Sequence, residues 1–127
     1  MRRSLLVVDD EQPVRDLFSQ AFGALGWSVH AAADAAQAEE AFRRLRPPVA
    51  FVDLKLPEVS GLELGRTLFA QNPLAILYAM TGYGSLFELA GCREAGFEDY
   101  FLKPVRLQTL FGAAEAAYRK VQRWRDL

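Results

Sequence analysis

Asp9 and Asp10 close the apolar run Leu5-Leu6-Val7-Val8 and lead straight into a helix-forming pattern. A second run, Val49-Ala50-Phe51-Val52, ends in Asp53. A third, Ala75 to Met80, ends in Thr81, and a fourth, Tyr100-Phe101-Leu102, ends in Lys103-Pro104. Four strand-like runs thus deliver three acids, a hydroxyl and an amine at their carboxyl ends, where open α/β sheets build their sites. Three carboxylates in one crevice repel one another and invite a hard cation. Mg²⁺ suits them, because it is held by a few carboxylates, a carbonyl and waters and leaves positions for phosphate oxygens. One carboxylate can then act as a nucleophile toward a phosphoryl group, giving an aspartyl phosphate. Asp53, alone at its strand end, is the candidate nucleophile, and Asp9 and Asp10 are candidate metal ligands. Lys103 supplies a point charge for a phosphate oxygen and Thr81 a hydroxyl donor. These few groups suffice, since phosphoryl transfer asks a protein mainly for positioning and charge stabilisation.

The elements that must position these residues alternate along the chain as strand, helix, strand, helix, the pattern of a parallel sheet covered on both faces. Pro13 suits a first helical turn, and Val14, Leu17, Phe18, Ala21, Phe22 and Leu25 follow at spacings of three and four up to Gly26. A short strand, Trp27 to Ala31, precedes Asp34, which can cap a helix carrying Ala38, Ala41, Phe42 and Leu45. Ser60 with Glu63, and Ser85 with Glu88, have capping-box spacing ahead of two further helices, the second ending at Gly96. A last helix starts near Arg106 and buries Leu107, Leu110, Phe111, Ala114, Tyr118 and Val121. Five strands, five helices and short right-handed connections leave few windings. The flavodoxin-like order 2-1-3-4-5 is the one expected, with the site at the switch point between the first and third strands, where Asp9, Asp10 and Asp53 stand.

The whole chain, residues 1–127, reads as one domain without an interdomain linker or internal repeat. A formal charge of −1 and the lack of a basic block argue against direct binding of nucleic acid. The single Cys92 rules out an internal disulfide and suits the reducing cytosol. The apolar stretch before Asp9 is too short for a signal-peptide core or a membrane span, so a cytoplasmic, membrane-free protein is expected.

Val8-Asp-Asp-Glu11, Asp53-Leu-Lys-Leu-Pro-Glu-Val-Ser-Gly61, Met80-Thr-Gly-Tyr-Gly-Ser85 and Tyr100-Phe-Leu-Lys-Pro104 together resemble the receiver domain of bacterial two-component response regulators. Each motif is weak singly; in this order and spacing they are specific. The resemblance implies that Asp53 is a phosphoacceptor charged by a sensor histidine kinase, a histidine phosphotransfer protein or a small phosphodonor. It implies Mg²⁺ on Asp10 directly, on Asp9 largely through water, on Asp53 and on the backbone carbonyl of Lys55. Thr81 and Tyr100 match the family's switch pair, which remodels the surface of the fourth helix, fifth strand and fifth helix toward an output domain or target protein. The Lys103–Pro104 bond matches one that is usually cis. Lys55 and Tyr83 stand where the family tunes dephosphorylation, and a long amine and a ring there imply a long-lived phospho-form. Any catalysis is limited to self-phosphorylation and slow self-dephosphorylation.

Other readings compete. Asp34 reads as a helix cap, His30 as structural and Cys92 as packing. The tail, Arg119-Lys120 and Arg123-Trp124-Arg125, suits a solvated face, a linker to an output domain or a homodimer contact. A Mg²⁺-dependent aspartyl phosphatase would want a second acid two residues after its nucleophile, where this chain has Lys55. A phosphorylation-independent interaction module of the same fold would show loss of an acid, the threonine or the lysine, and none is lost.

Overall fold

Apolar, β-branched and aromatic runs form the five strands because both faces of a central parallel strand meet a layer of helices. The computed structural model describes residues 1–127, the side chain of Phe87 excepted. In chain order the elements are β1 (Ser4–Val8), α1 (Gln12–Gly23), β2 (Ser28–Ala32), α2 (Ala35–Leu45), β3 (Val49–Asp53), α3 (Gly61–Gln71), β4 (Ile76–Thr81), α4 (Leu86–Ala95), β5 (Phe97–Leu102) and α5 (Leu107–Arg125). The strands are all parallel, in the order β2-β1-β3-β4-β5. The expected winding is therefore the observed one, and the ends of β1 and β3 lie side by side at its switch point.

Alternation along the strands divides the interior in two. Leu6, Val8, Ala50 and Val52 point toward α2, α3 and α4, where they meet Phe42, Leu64, Leu68 and Cys92. Leu5, Val7, Phe51, Tyr78 and Met80 point toward α1 and α5, where they meet Phe18, Phe22, Leu110 and Tyr118. Every residue of β1, β3 and β4 is buried. At roughly 1.5–3 kcal/mol per fully buried large side chain, this sandwich makes the strand ends a rigid base for the residues that follow them. The Tyr78 hydroxyl donates to the Ala113 carbonyl at 3.0 Å, tying β4 to α5, and burial pushes this phenol up to about 12. Among the described residues no helix is long and apolar enough to cross a membrane.

Local signals hold at most boundaries. Asp34 caps α2 by accepting from the Gln37 N–H, Ser60 caps α3 through Glu63 N–H, and Pro13 lies in the first turn of α1. Cys92 is buried on α4 and half-buried His30 lies on the edge strand β2, where burial, then Arg44 and Arg2, push its imidazole below 6.5. Two boundaries differ from the sequence pattern by more than one residue. Helix α1 stops at Gly23 rather than running to Gly26, and Leu17 and Leu25 stay exposed. Gly26, at φ 90°, instead turns the chain into β2, a conformation that costs other residues a Cβ clash. Strand β5 begins at Phe97, three residues before the apolar run at Tyr100, because pairing of Leu77 with Phe97 and Tyr78 with Asp99 recruits two exposed acids into the edge.

Candidate functional site

The carboxyl ends of β1, β3, β4 and β5 converge, and with them Asp9, Asp10, Asp53, Thr81 and Lys103. Carboxylate oxygens of Asp9, Asp10 and Asp53 lie within 4.8 Å of one another. Asp9 is wholly buried and Asp53 nearly so, whereas Asp10 is exposed. The half-buried Lys103 ammonium bridges the two buried acids, donating to Asp9 Oδ2 at 2.7 Å and Asp53 Oδ2 at 3.1 Å, with Glu11 Oε2 at 3.8 Å. The remaining oxygens take backbone donors: Glu11 N–H to Asp9 Oδ1 at 2.9 Å and Lys55 N–H to Asp53 Oδ1 at 3.0 Å. Arg15 fixes the backbone here by donating to the Asp9 carbonyl at 2.8 Å. Among the described residues Asp10 has no side-chain hydrogen bond, so its oxygens face the crevice without a protein donor.

Two features of the loops hold Asp53 in place. Leu54 N–H donates to the Met80 carbonyl at 2.9 Å, extending the pairing of β3 with β4, and Gly61 N–H donates to the Leu54 carbonyl at 3.0 Å, closing the loop after β3. Lys103 N–H donates to the Thr81 carbonyl at 2.8 Å, and the Lys103–Pro104 bond is cis. Gly82 has open space around it, leaving the flank of Thr81 clear.

Asp9, Asp10 and Asp53, with Glu11 nearby, face a single ammonium and leave the partly desolvated crevice with excess negative charge. Burial and these contacts act on two of its members. Burial holds the Asp53 carboxyl above the ordinary carboxylate range, despite opposing hydrogen bonds from Lys55 N–H and Lys103. Lys103 is opposed by burial, but its bonds to Asp9 and Asp53 and their charges keep it above an ordinary lysine. A hard divalent cation fits this donor set of clustered oxygens with excess negative charge.

Lys103→Met removes the bridging cation. With two buried acids then unpaired, metal-free protein is expected to lose about 2–3 kcal/mol of stability, a discount on the usual cost of orphaning a buried charge. Added Mg²⁺ should stabilise this variant more than the unaltered chain. Urea unfolding with and without MgCl₂ tests this, and equal midpoints for the two proteins would refute it.

Thr81 is buried and its hydroxyl points to the start of α4, toward Tyr83 and Glu88 rather than toward Asp53. Tyr100, Lys55 and Tyr83 are exposed. Glu88 is the group that sequence reasoning missed here. Its spacing from Ser85 announced a capping box, which accounted for it completely and hid its second contact.

The protein matches the family model for the response regulator receiver domain over residues 5–115. It is 32% identical over 117 residues to the probable transcriptional regulatory protein TcrX of Mycobacterium tuberculosis, an alignment covering 92% of this chain and 50% of that protein. It is 30% identical over 118 residues to the response regulator MprA of Mycobacterium leprae, covering 93% of this chain and 52% of MprA. The chain thus spans about half the length of these relatives. A CheY-like receiver domain protein of Methanospirillum hungatei superposes with a TM-score of 0.93 at 26% identity, over 97% of this chain and 98% of that one. Fold, strand-end residues and family match agree: this chain belongs to the receiver domains of two-component response regulators.

Proposed function

We propose that residues 1–127 form a single receiver domain that works as a phosphorylation-controlled switch with Asp53 as the phosphoacceptor. An Asp53 oxygen attacks the phosphorus of a phosphohistidine on a sensor kinase or phosphotransfer protein. The bond from phosphorus to the imidazole nitrogen breaks, and its electron pair stays on that nitrogen. The observation that carries this reading is the Lys103 ammonium shared between Asp9 and Asp53, 3.1 Å from the Asp53 carboxylate. Already fixed beside the nucleophile, it can follow the charge onto a phosphoryl oxygen without reorganisation.

Asp10, Asp9, Asp53 and the Lys55 carbonyl would hold Mg²⁺, which when bound supplies charge neutralisation for the phosphoryl oxygens. Asp10, exposed and without another partner among the described residues, suits direct coordination, while Asp9 is already engaged by Lys103 and Glu11 N–H. Thr81 would donate its hydroxyl to the phosphoryl group and Tyr100 would turn inward, altering the face of α4, β5 and α5. That face would then bind an output domain, a target protein or a second copy of the chain. A protein partner in the cytoplasm suits the near-neutral net charge better than a nucleic acid does.

Incubation with acetyl phosphate and Mg²⁺ should add about 80 Da, one phosphoryl group, to the intact mass. No adduct, together with no Mg²⁺-dependent binding of beryllofluoride, would overturn this reading and favour a phosphorylation-independent module.

The lifetime of the adduct would follow from the cavity beside Thr81. Lys55 and Tyr83 line it together with Thr81, Gly82 and Glu88. A long amine and an aromatic ring next to the phosphoryl group would obstruct an in-line water, so the phospho-form should be long-lived. Tyr83→Ala is expected to shorten it severalfold, measured as decay of the mass adduct after the donor is removed. A decay rate unchanged by the substitution would count against obstruction.

A further inference from the structure

Glu88 is the third residue of α4, where a capping box would send its carboxylate back to the Ser85 N–H. Only half of that box forms: the Glu88 N–H donates to Ser85 Oγ at 3.1 Å. The carboxylate turns toward β4 instead, and Oε1 accepts from Thr81 Oγ1 at 3.0 Å. The Thr81 hydroxyl carries one proton and has a second acceptor in reach, the Tyr83 carbonyl at 2.9 Å, while Tyr83 N–H donates to the hydroxyl oxygen at 3.2 Å. Of the two acceptors the carboxylate is the stronger, because its charge assists the bond. All hydrogen bonds of this hydroxyl, among the described residues, run to the loop after β4 or to the first turn of α4.

We propose that Glu88 is a positioning residue: its carboxylate holds the Thr81 hydroxyl on the α4 side and so opposes phosphorylation of Asp53. The inference rests on the reading of Asp53 as phosphoacceptor and adds a residue to it. For Thr81 to donate to a phosphoryl oxygen, its proton must leave Glu88. The energy of that bond is therefore subtracted from the stability of the phosphorylated state. Released from Thr81, Glu88 is free to complete the box at Ser85, which links the state of Asp53 to the first turn of α4. That turn leads into the open cavity that Leu86, Leu89 and Arg93 line with Phe97, Asp99 and Tyr100. Glu88 thus joins the phosphorylation cleft to the surface expected to change.

Calorimetric titration of the full chain with beryllofluoride in excess Mg²⁺ tests this, because beryllofluoride mimics a phosphoryl group on a carboxylate. Without the carboxylate, Thr81 keeps only the neutral Tyr83 acceptor, and the lost difference corresponds to about fivefold tighter binding by Glu88→Ala. Glu88→Gln, of the same size and with a neutral acceptor, should gain less. In a Thr81→Ala background, replacing Glu88 should change affinity no further. A role limited to supporting α4 predicts weaker binding, the opposite sign, and that result would overturn the proposal. So would an affinity equal to the unaltered protein, or an equal gain in the Thr81→Ala background. An unaltered protein that binds no beryllofluoride would instead sink the Asp53 reading itself, and this inference with it.

Discussion

Asp53→Asn is expected to take up no phosphoryl group from acetyl phosphate under conditions in which the unaltered chain should gain about 80 Da. The substitution is nearly isosteric, so the loss is chemical rather than architectural. The amide oxygen can still accept from Lys55 N–H, which holds Asp53 Oδ1 at 3.0 Å, but an amide is not a nucleophile toward phosphorus. Stability should move the other way. Burial already holds the Asp53 carboxyl above its ordinary range, so its charge is a cost to the metal-free fold. Removing it relieves Asp9 and Asp10 of a neighbour while Lys103 keeps its 2.7 Å bond to Asp9. The variant should therefore unfold in urea no earlier than the parent without metal, and should gain less from added Mg²⁺. Intact mass and urea midpoints read both effects. An adduct retained by Asp53→Asn would move the phosphoacceptor elsewhere.

Gly61→Ala is expected to be the most damaging single-methyl addition in the molecule. A Cβ at this first residue of α3 would lie 2.4 Å from the Asp53 carbonyl oxygen, 2.5 Å from Leu54 Cα and 3.0 Å from the Asp53 carbonyl carbon. All three are backbone atoms, so no side chain can swing aside. Either α3 retreats, breaking the Gly61 N–H bond to Leu54, or the end of β3 shifts with Asp53 on it. Overpacking of this kind costs about 3 kcal/mol or more. The damage should also reach the chemistry, because Asp53 must stay within reach of Lys103. Gly112→Ala in α5 is the matched control: nothing lies within 4 Å of its Cβ position, and a helix interior favours alanine. Urea unfolding and the rate of labelling by acetyl phosphate should both fall for Gly61→Ala and not for Gly112→Ala. Equal stability of the two variants would refute the close-approach argument.

The convergence of Asp9, Asp10, Asp53, Thr81 and Lys103 was legible because each stands at the end of an apolar run, and a parallel sheet sends all such ends to one edge. The caps at Asp34 and Ser60 were legible for a similar reason, since side chain and backbone lie three residues apart. Phe97-Glu98-Asp99 was not, because two exposed acids carry no strand pattern and only pairing with β4 makes a strand of them. Helix α1 misled in the opposite direction. Leu17 and Leu25 continue the spacing of three and four, yet the helix turns Leu17 to solvent and ends before Leu25. The contact of Glu88 with Thr81 could not be read at all: it joins a helix start to a strand end, and no periodicity encodes which of two acceptors a hydroxyl chooses.

The strand order also sets when the acidic crevice comes into being. Strands β2, β1 and β3 are consecutive neighbours and are complete by residue 53, so all three carboxylates can be in place once residues 1–53 have left the ribosome. Thr81 waits for β4. Lys103, the one cation that touches both buried acids among the described residues, follows β5, an edge strand and the last of the five in sequence. The growing chain thus carries its mutually repelling acids before it carries their counter-charge. Ions of the surrounding solution fill that role until residue 103 has been added.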